Sequence, residues 1–119
     1  MFSFGFKYGP PADANLVLDV RFLPNPYWED HLRHLTGLDN SVSDYVLHSE
    51  GGKRLIQHLV PFIQFLLAEY QQTGKEQLRI GIGCTGGQHR SVAVVACLNK
   101  QLCDAGFQVT EEHRDIGKE

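Results

Sequence analysis

The stretch from residue 78 to residue 106 constrains the fold more than any other. Leu78-Arg79-Ile80-Gly81-Ile82 alternates like a β-strand. It runs into Gly83-Cys84-Thr85-Gly86-Gly87-Gln88-His89-Arg90-Ser91, and then Val92, Val95, Leu98, Leu102 and Ala105 recur at helical spacing up to Gly106. A strand, a glycine-rich turn and a helix in succession form half of a parallel β-α-β unit, so the chain is read as α/β.

The rest of the chain supplies the other elements. Phe2, Phe4, Phe6 and Tyr8 alternate with small or polar residues as a first strand, ended by Gly9-Pro10-Pro11. Leu16 to Phe22 is nearly continuous apolar sequence, as in a buried strand, with Asp19 and Arg21 on one face near its end. A short helix is predicted from Tyr27 to Leu35. Ser41 would cap another through about His48, and Glu50-Gly51-Gly52 reads as a break. From Lys53 to Tyr70, Leu55, Leu59, Phe62, Leu66 and Tyr70 form a helical stripe that Pro61 should kink or split and Gly74 should end. Phe107 to Thr110 reads as a last strand. The order β-β-α-α-β-α-β gives one layered domain, residues 1–119, with a small, mainly parallel sheet flanked by helices.

At 119 residues the chain can build a core without staples. Its formal charge of −3 gives no general attraction to nucleic acid or membranes. Three cysteines without a CxxC pair argue against a disulfide framework or a zinc site, and fit reduced thiols in the cytoplasm. Cys97 and Cys103 read as packing residues, and His31, His34, His48 and His58 as ordinary polar positions, so neither metal nor cofactor is expected. No apolar run is long enough to span a membrane, and the N-terminus does not resemble a signal peptide. Gly51-Gly52-Lys53 lacks the rest of a nucleotide-binding P-loop.

The 83–91 turn suits an anion. Gly86 and Gly87 let backbone N–H groups approach closely, the new helix presents its positive end, and Arg90 offers a guanidinium fork. His89 adds a donor that titrates near neutrality. Cys84 and Arg90 also match the C-x5-R-[ST] spacing of cysteine-dependent phosphatases, in which a thiolate attacks phosphorus. Gly83 replaces the histidine usual before that cysteine. A leaving-group acid would have to come from Asp19, Asp30 or Asp115. The turn is therefore read as a phosphate-binding site, with phosphatase chemistry as the alternative.

Five ordered blocks carry a resemblance: Ser3-Phe4-Gly5-Phe6-Lys7-Tyr8-Gly9, Asp19 to Pro26, Thr36-Gly37-Leu38-Asp39, Gly83 to Ser91, and His113-Arg114-Asp115. On these the chain resembles the C-terminal domain of the RapZ/YvcJ family, whose members normally carry an N-terminal P-loop domain. The resemblance implies a regulatory module that binds a phosphorylated amino sugar, with glucosamine 6-phosphate the type ligand, or inorganic phosphate. It also implies small-RNA binding and an adaptor role toward an endoribonuclease or a separate P-loop partner; the oligomeric state stays open, with an oligomer among the alternatives. Carried over by residue, the ligand site is Asp19, Cys84, Thr85, Gly86, Gly87, Gln88, His89 and Arg90, with Lys7 and Arg21 lining the same cleft. Gln88 stands where the family often has lysine. RNA contacts would fall to Lys7, Arg21, Arg114 and Lys118. The tail Asp115-Ile116-Gly117-Lys118-Glu119 lacks the basic cluster of RNA-binding relatives.

Overall fold

The computed structural model describes residues 1–75 and 77–118. Four parallel strands, β1 (Phe2–Gly5), β2 (Leu16–Asp19), β3 (Ile80–Cys84) and β4 (Glu112–His113), form one sheet in the order β2-β3-β1-β4. Three helices accompany it: α1 (Asn40–Leu47), α2 (Glu50–Gln72) and α3 (Arg90–Asp104). The α/β reading with a parallel sheet and three helices holds.

The connections β2-α1-α2-β3 and β3-α3-β4 both step across the sheet in the same direction. Right-handed crossovers therefore put the helices on one face. On that face Ile80, Ile82 and Cys84 join a single core with Val42 and Val46 of α1, Leu59 and Ile63 of α2, and Val94, Val95, Leu98 and Leu102 of α3. The other face is covered by aromatic rings. Phe2, Phe4 and Phe6 lie along it, and Arg79, Arg114 and Arg21 stack over those rings at 4.6, 5.3 and 4.3 Å. This explains the glycines of β3. A Cβ on Gly81 would stand 2.8 Å from Phe2, and one on Gly83 would stand 2.5 Å from Phe4 and 2.6 Å from Phe6. A histidine at 83 has no room.

Several local expectations change. Phe6–Tyr8 is a 3₁₀ turn, so β1 ends at Gly5, where the chain bends against the 83–91 turn. Tyr27 to Leu35 is not a helix; only Pro26–Trp28 makes a 3₁₀ turn, and the following residues turn irregularly. Asp39, not Ser41, precedes α1, and its carboxylate closes the Thr36–Asp39 turn by accepting from the Thr36 amide at 2.9 Å. Gly51 and Gly52 begin α2 instead of breaking the chain. Ser49 caps it, and a Cβ on Gly52 would collide with the carbonyl of Val46, so the glycine lets α1 and α2 meet.

Pro61 does not divide α2, which runs through it on the exposed side of the helix. The buried stripe of α2 is rotated from the expected one. Leu59 and Ile63 are in the core with Ile56, Val60 and Leu67 beside them, whereas Phe62 and Tyr70 are exposed. Gly74, at φ 77°, ends the helix as expected. The last strand is Glu112–His113, not Phe107–Thr110; the 107–110 segment instead extends past the end of α3.

Candidate functional site

The carboxyl ends of β1, β2 and β3 share one edge of the sheet, the edge where ligands bind in open parallel sheets. The 85–89 turn lies there, between Cys84 and the first residue of α3. It is held by its surroundings. Lys7 N–H donates to the Thr85 carbonyl at 3.1 Å, and Gly37 N–H to that of Gln88 at 2.8 Å. Gly87 adopts φ 74°, and a Cβ on it would stand 2.7 Å from the Gly5 nitrogen. Only glycine serves both demands. Among the described residues, no protein acceptor pairs with the amides of Thr85, Gly86, Gly87, Gln88 or His89.

Beside the turn is a cleft of about 710 Å³. Cys84, Thr85, Gly86, Gln88, His89 and Arg90 form one wall, and Lys7, Tyr8 and Lys118 another. Asn25, Tyr27, Trp28 and the Arg33–Thr36 segment close the far side. Four lining residues are permanent cations, Lys7, Arg33, Arg90 and Lys118, and none of the described lining residues carries a carboxylate. A chain with net charge −3 has gathered positive charge in one place. Such a low-dielectric cleft favours an anion.

Arg90 is 5% exposed. One of its terminal nitrogens, Nη1, donates to the carbonyls of Arg21 (2.7 Å) and Leu23 (3.3 Å), and Nη2 reaches Thr85 Oγ1 at 3.4 Å. The fork is thereby fixed before any ligand arrives. Cys84, 3% exposed, contacts Ser91 Oγ through Sγ at 3.1 Å. His89 bonds the Arg33 carbonyl through Nε2 at 3.1 Å. Burial lowers its pKa from the ordinary 6.5, against the opposing effect of the Arg33 and Leu35 carbonyls, which favours the neutral ring.

The strand register separates residues that the sequence seemed to join. Asp19 pairs with Gly83, one residue before Cys84, so it projects from the aromatic face, whereas Cys84 belongs to the helix-covered core. Asp19 and Arg21 do not line the cleft; they form a bidentate pair at 2.7–3.1 Å beside it. The Arg21 hydrogen bond is the main cause lowering the Asp19 pKa, and the Arg90 charge adds to it.

Asp115 is fully buried, and its carboxylate accepts from the Gly5 amide, Arg114 and Lys118. Burial raises its pKa, but these donors outweigh that and bring it to about 2. Asp30 pairs with Arg33 at 3.0 Å on the surface. Sequence reasoning missed Tyr8, Asn25, Tyr27, Trp28, Arg33, His34 and Leu35. The Pro24-Asn25-Pro26 and Thr36-Gly37 blocks flank most of them and were the available signal.

A second groove, about 1030 Å³, lies at the opposite, amino-terminal edge of the strands, among Met1, Tyr70, Arg79, Ile80 and the 105–110 segment. No site residue borders it. Among the described residues no group of three or more His, Cys, Asp and Glu side chains is arranged to hold a metal, and no helix is long and apolar enough to cross a membrane.

Fold and cleft together define a small α/β domain with a cationic cleft at the carboxyl edge of a parallel sheet. The model of the RapZ C-terminal domain family matches residues 1–117, and the chain belongs to that family. It is similar to proteins named "Nucleotide-binding protein" from several bacteria. One from Gloeobacter violaceus is 54% identical over 114 residues, covering 96% of this chain and 38% of the relative. Those from Limosilactobacillus reuteri and Bacillus cytotoxicus are 51% and 53% identical over 116 residues, covering 98% of this chain and 40% and 39% of the relatives. The chain thus spans about two-fifths of the length of these curated relatives.

Proposed function

We propose that this domain is a regulatory module that binds a phosphorylated small metabolite in the cleft beside the 85–89 turn, and that the metabolite is an amino-sugar phosphate such as glucosamine 6-phosphate. One observation carries the reading: Lys7, Arg33, Arg90 and Lys118 line a cleft whose described walls hold no carboxylate, next to five backbone amides with no protein partner. A phosphate dianion supplies acceptors for those amides and a countercharge for the cations. The amino-sugar assignment rests on the family resemblance. In it the exposed Asp19, beside the cleft, exchanges the Arg21 fork for the sugar ammonium.

Binding without turnover fits the acids available. Asp115 is ionised at neutral pH and consumed in ion pairs, and Asp19 is held ionised by Arg21. Neither holds a proton for a leaving group, and the third candidate, Asp30, is on the surface paired with Arg33 outside the cleft lining. The Cys84–Ser91 contact favours the second reading, a C-x5-R phosphatase, because a hydroxyl against Sγ would stabilise a thiolate. Calorimetry with phosphate and glucosamine 6-phosphate tests the first reading. Arg90→Lys keeps the charge and removes the fork, and should weaken binding about tenfold. Unchanged affinity in a folded variant places the anion elsewhere.

The adaptor roles toward small RNA, an endoribonuclease or a P-loop partner that the resemblance implies are left to longer chains of the family in this proposal, and we assign this domain only weak RNA binding on its own. The four basic residues named for RNA already have partners within the domain. Arg21 is on Asp19, Arg114 and Lys118 are on Asp115, and Lys7 lies over Tyr8.

A further inference from the structure

Gln88 lies in the middle of the turn, yet its side chain is spent on the C-terminal segment. Its amide nitrogen donates to the carbonyls of Asp115 (2.8 Å), Lys118 (3.1 Å) and Gly86 (3.1 Å), and its carbonyl oxygen accepts from the Gly117 amide at 2.8 Å. One side chain thus binds main-chain groups of three residues in the tail. Asp115 completes the attachment from below, accepting from the Gly5 amide at 2.8 Å and from Lys118 Nζ at 2.9 Å. The consequence is positional. Gly117 and Lys118 become part of the cleft wall, and the Lys118 ammonium sits 5.2 Å from the Tyr8 ring centroid, with Lys7 5.3 Å from the same centroid.

We propose that Gln88 is a positioning residue for the anion site, acting through the C-terminal segment: it clamps residues 115–118 across the turn and so holds the Lys118 ammonium at the cleft wall, where it serves a bound phosphate. The inference rests on the phosphate-binding reading above and adds a role that a residue in the turn does not imply. A turn residue would be expected to meet the ligand directly. The side-chain amide of Gln88 has two hydrogens and already serves three carbonyls, so it has none to spare for a ligand. Lys118 can move between partners. Its side chain is half exposed, and among the described residues it pairs with Asp115, which keeps the Gly5 and Arg114 donors if the ammonium turns to a ligand.

The test uses the whole chain and four proteins: wild type, Gln88→Ala, Lys118→Ala and the double variant. Affinity for inorganic phosphate and for glucosamine 6-phosphate is measured by calorimetry, and amide hydrogen exchange is followed over residues 112–118. Gln88→Ala should speed exchange at 115–118 and weaken phosphate binding about two- to fivefold, the scale of one partly exposed charged contact. Lys118→Ala should weaken binding by a similar factor. The double variant should be no weaker than the weaker single, because both changes remove one contact. Additive losses would mean that Gln88 acts on the ligand independently of the tail, and unchanged exchange in Gln88→Ala would mean that it does not hold the tail; either overturns the proposal. If the wild type binds neither ligand, the phosphate reading itself fails, and the affinity role of Gln88 fails with it, while the exchange data still decide whether the clamp exists.

Discussion

Replacing Asp115 by Asn tests the electrostatics that tie the C-terminal segment to the sheet. The carboxylate is fully buried and lies against Arg114, Lys118 and the Gly5 amide, with its pKa brought from the ordinary 3.8 to about 2. A shift of that size corresponds to about 2.4 kcal/mol of differential stability. The partners Arg114 and Lys118 are 32% and 51% exposed, so water and salt screen part of it, and about 1–2 kcal/mol is expected. The folded pKa lies below the unfolded one. The stabilisation is therefore fully present above about pH 5 and is lost as the pH falls from about 4 through 2. Asparagine keeps an acceptor for the Gly5 amide but not the charge. Urea unfolding at pH 7 should show Asp115→Asn less stable by about 1–2 kcal/mol, and the gap should close as the pH approaches 2. A gap that stays constant from pH 7 to pH 2, or no gap at pH 7, would refute the assignment of charge to this network.

The remaining predictions concern the cleft. Cys84→Ser should leave phosphate affinity within about threefold, since Sγ is buried against Ser91, and neither protein should release phosphate from an aryl phosphate; saturable turnover abolished by the substitution would promote the phosphatase reading. The wild type should prefer glucosamine 6-phosphate to glucose 6-phosphate by about three- to tenfold, with Asp19→Asn shrinking the gap, because the ammonium contact is partly offset by release of the Arg21 fork; equal binding of the two sugars by the wild type would remove Asp19 from the site. In gel shifts at physiological salt, a confirmed monomer should bind structured RNA only in the range of about micromolar or weaker; nanomolar binding would show a basic face that these internal pairs do not consume.

The strand-turn-helix from Ile80 to Asp104 was legible because its signals agreed. Alternation, glycines and helical spacing all met at Cys84–Arg90, and the structure has the same strand, turn and helix, although the strand starts at Ile80 rather than Leu78 and Ala105 is exposed past the helix end. The misreadings share a cause, which is that tertiary contact overrode local pattern. Phe6 continues the alternation of Phe2 and Phe4 but packs edge-on against Phe4 at 4.8 Å, while the backbone has already turned. Phe62 and Tyr70 fit a helical stripe as well as Ile63 and Leu67 do, and only the positions of α1 and α3 decide which stripe is buried. At the site, the turn was readable and the far wall was not. Tyr27, Trp28 and Arg33 come from an irregular segment with no periodicity, brought opposite the turn in part by the His89–Arg33 bond. Asp19 was placed by its nearness in sequence to a strand end. Its face depends on register, which one sequence does not disclose.

The central claim is that the 85–89 turn and the cations around it bind a phosphate group. An amide-resolved NMR titration of the labelled protein with glucosamine 6-phosphate, with inorganic phosphate as a second arm, tests it most directly. The account predicts saturable shifts concentrated at the amides of Thr85 to His89, accompanied by the Arg90 guanidinium and the 115–118 segment, at the same dissociation constant. Shifts centred on the 105–110 groove at the other edge of the sheet, or none at millimolar ligand, would contradict it.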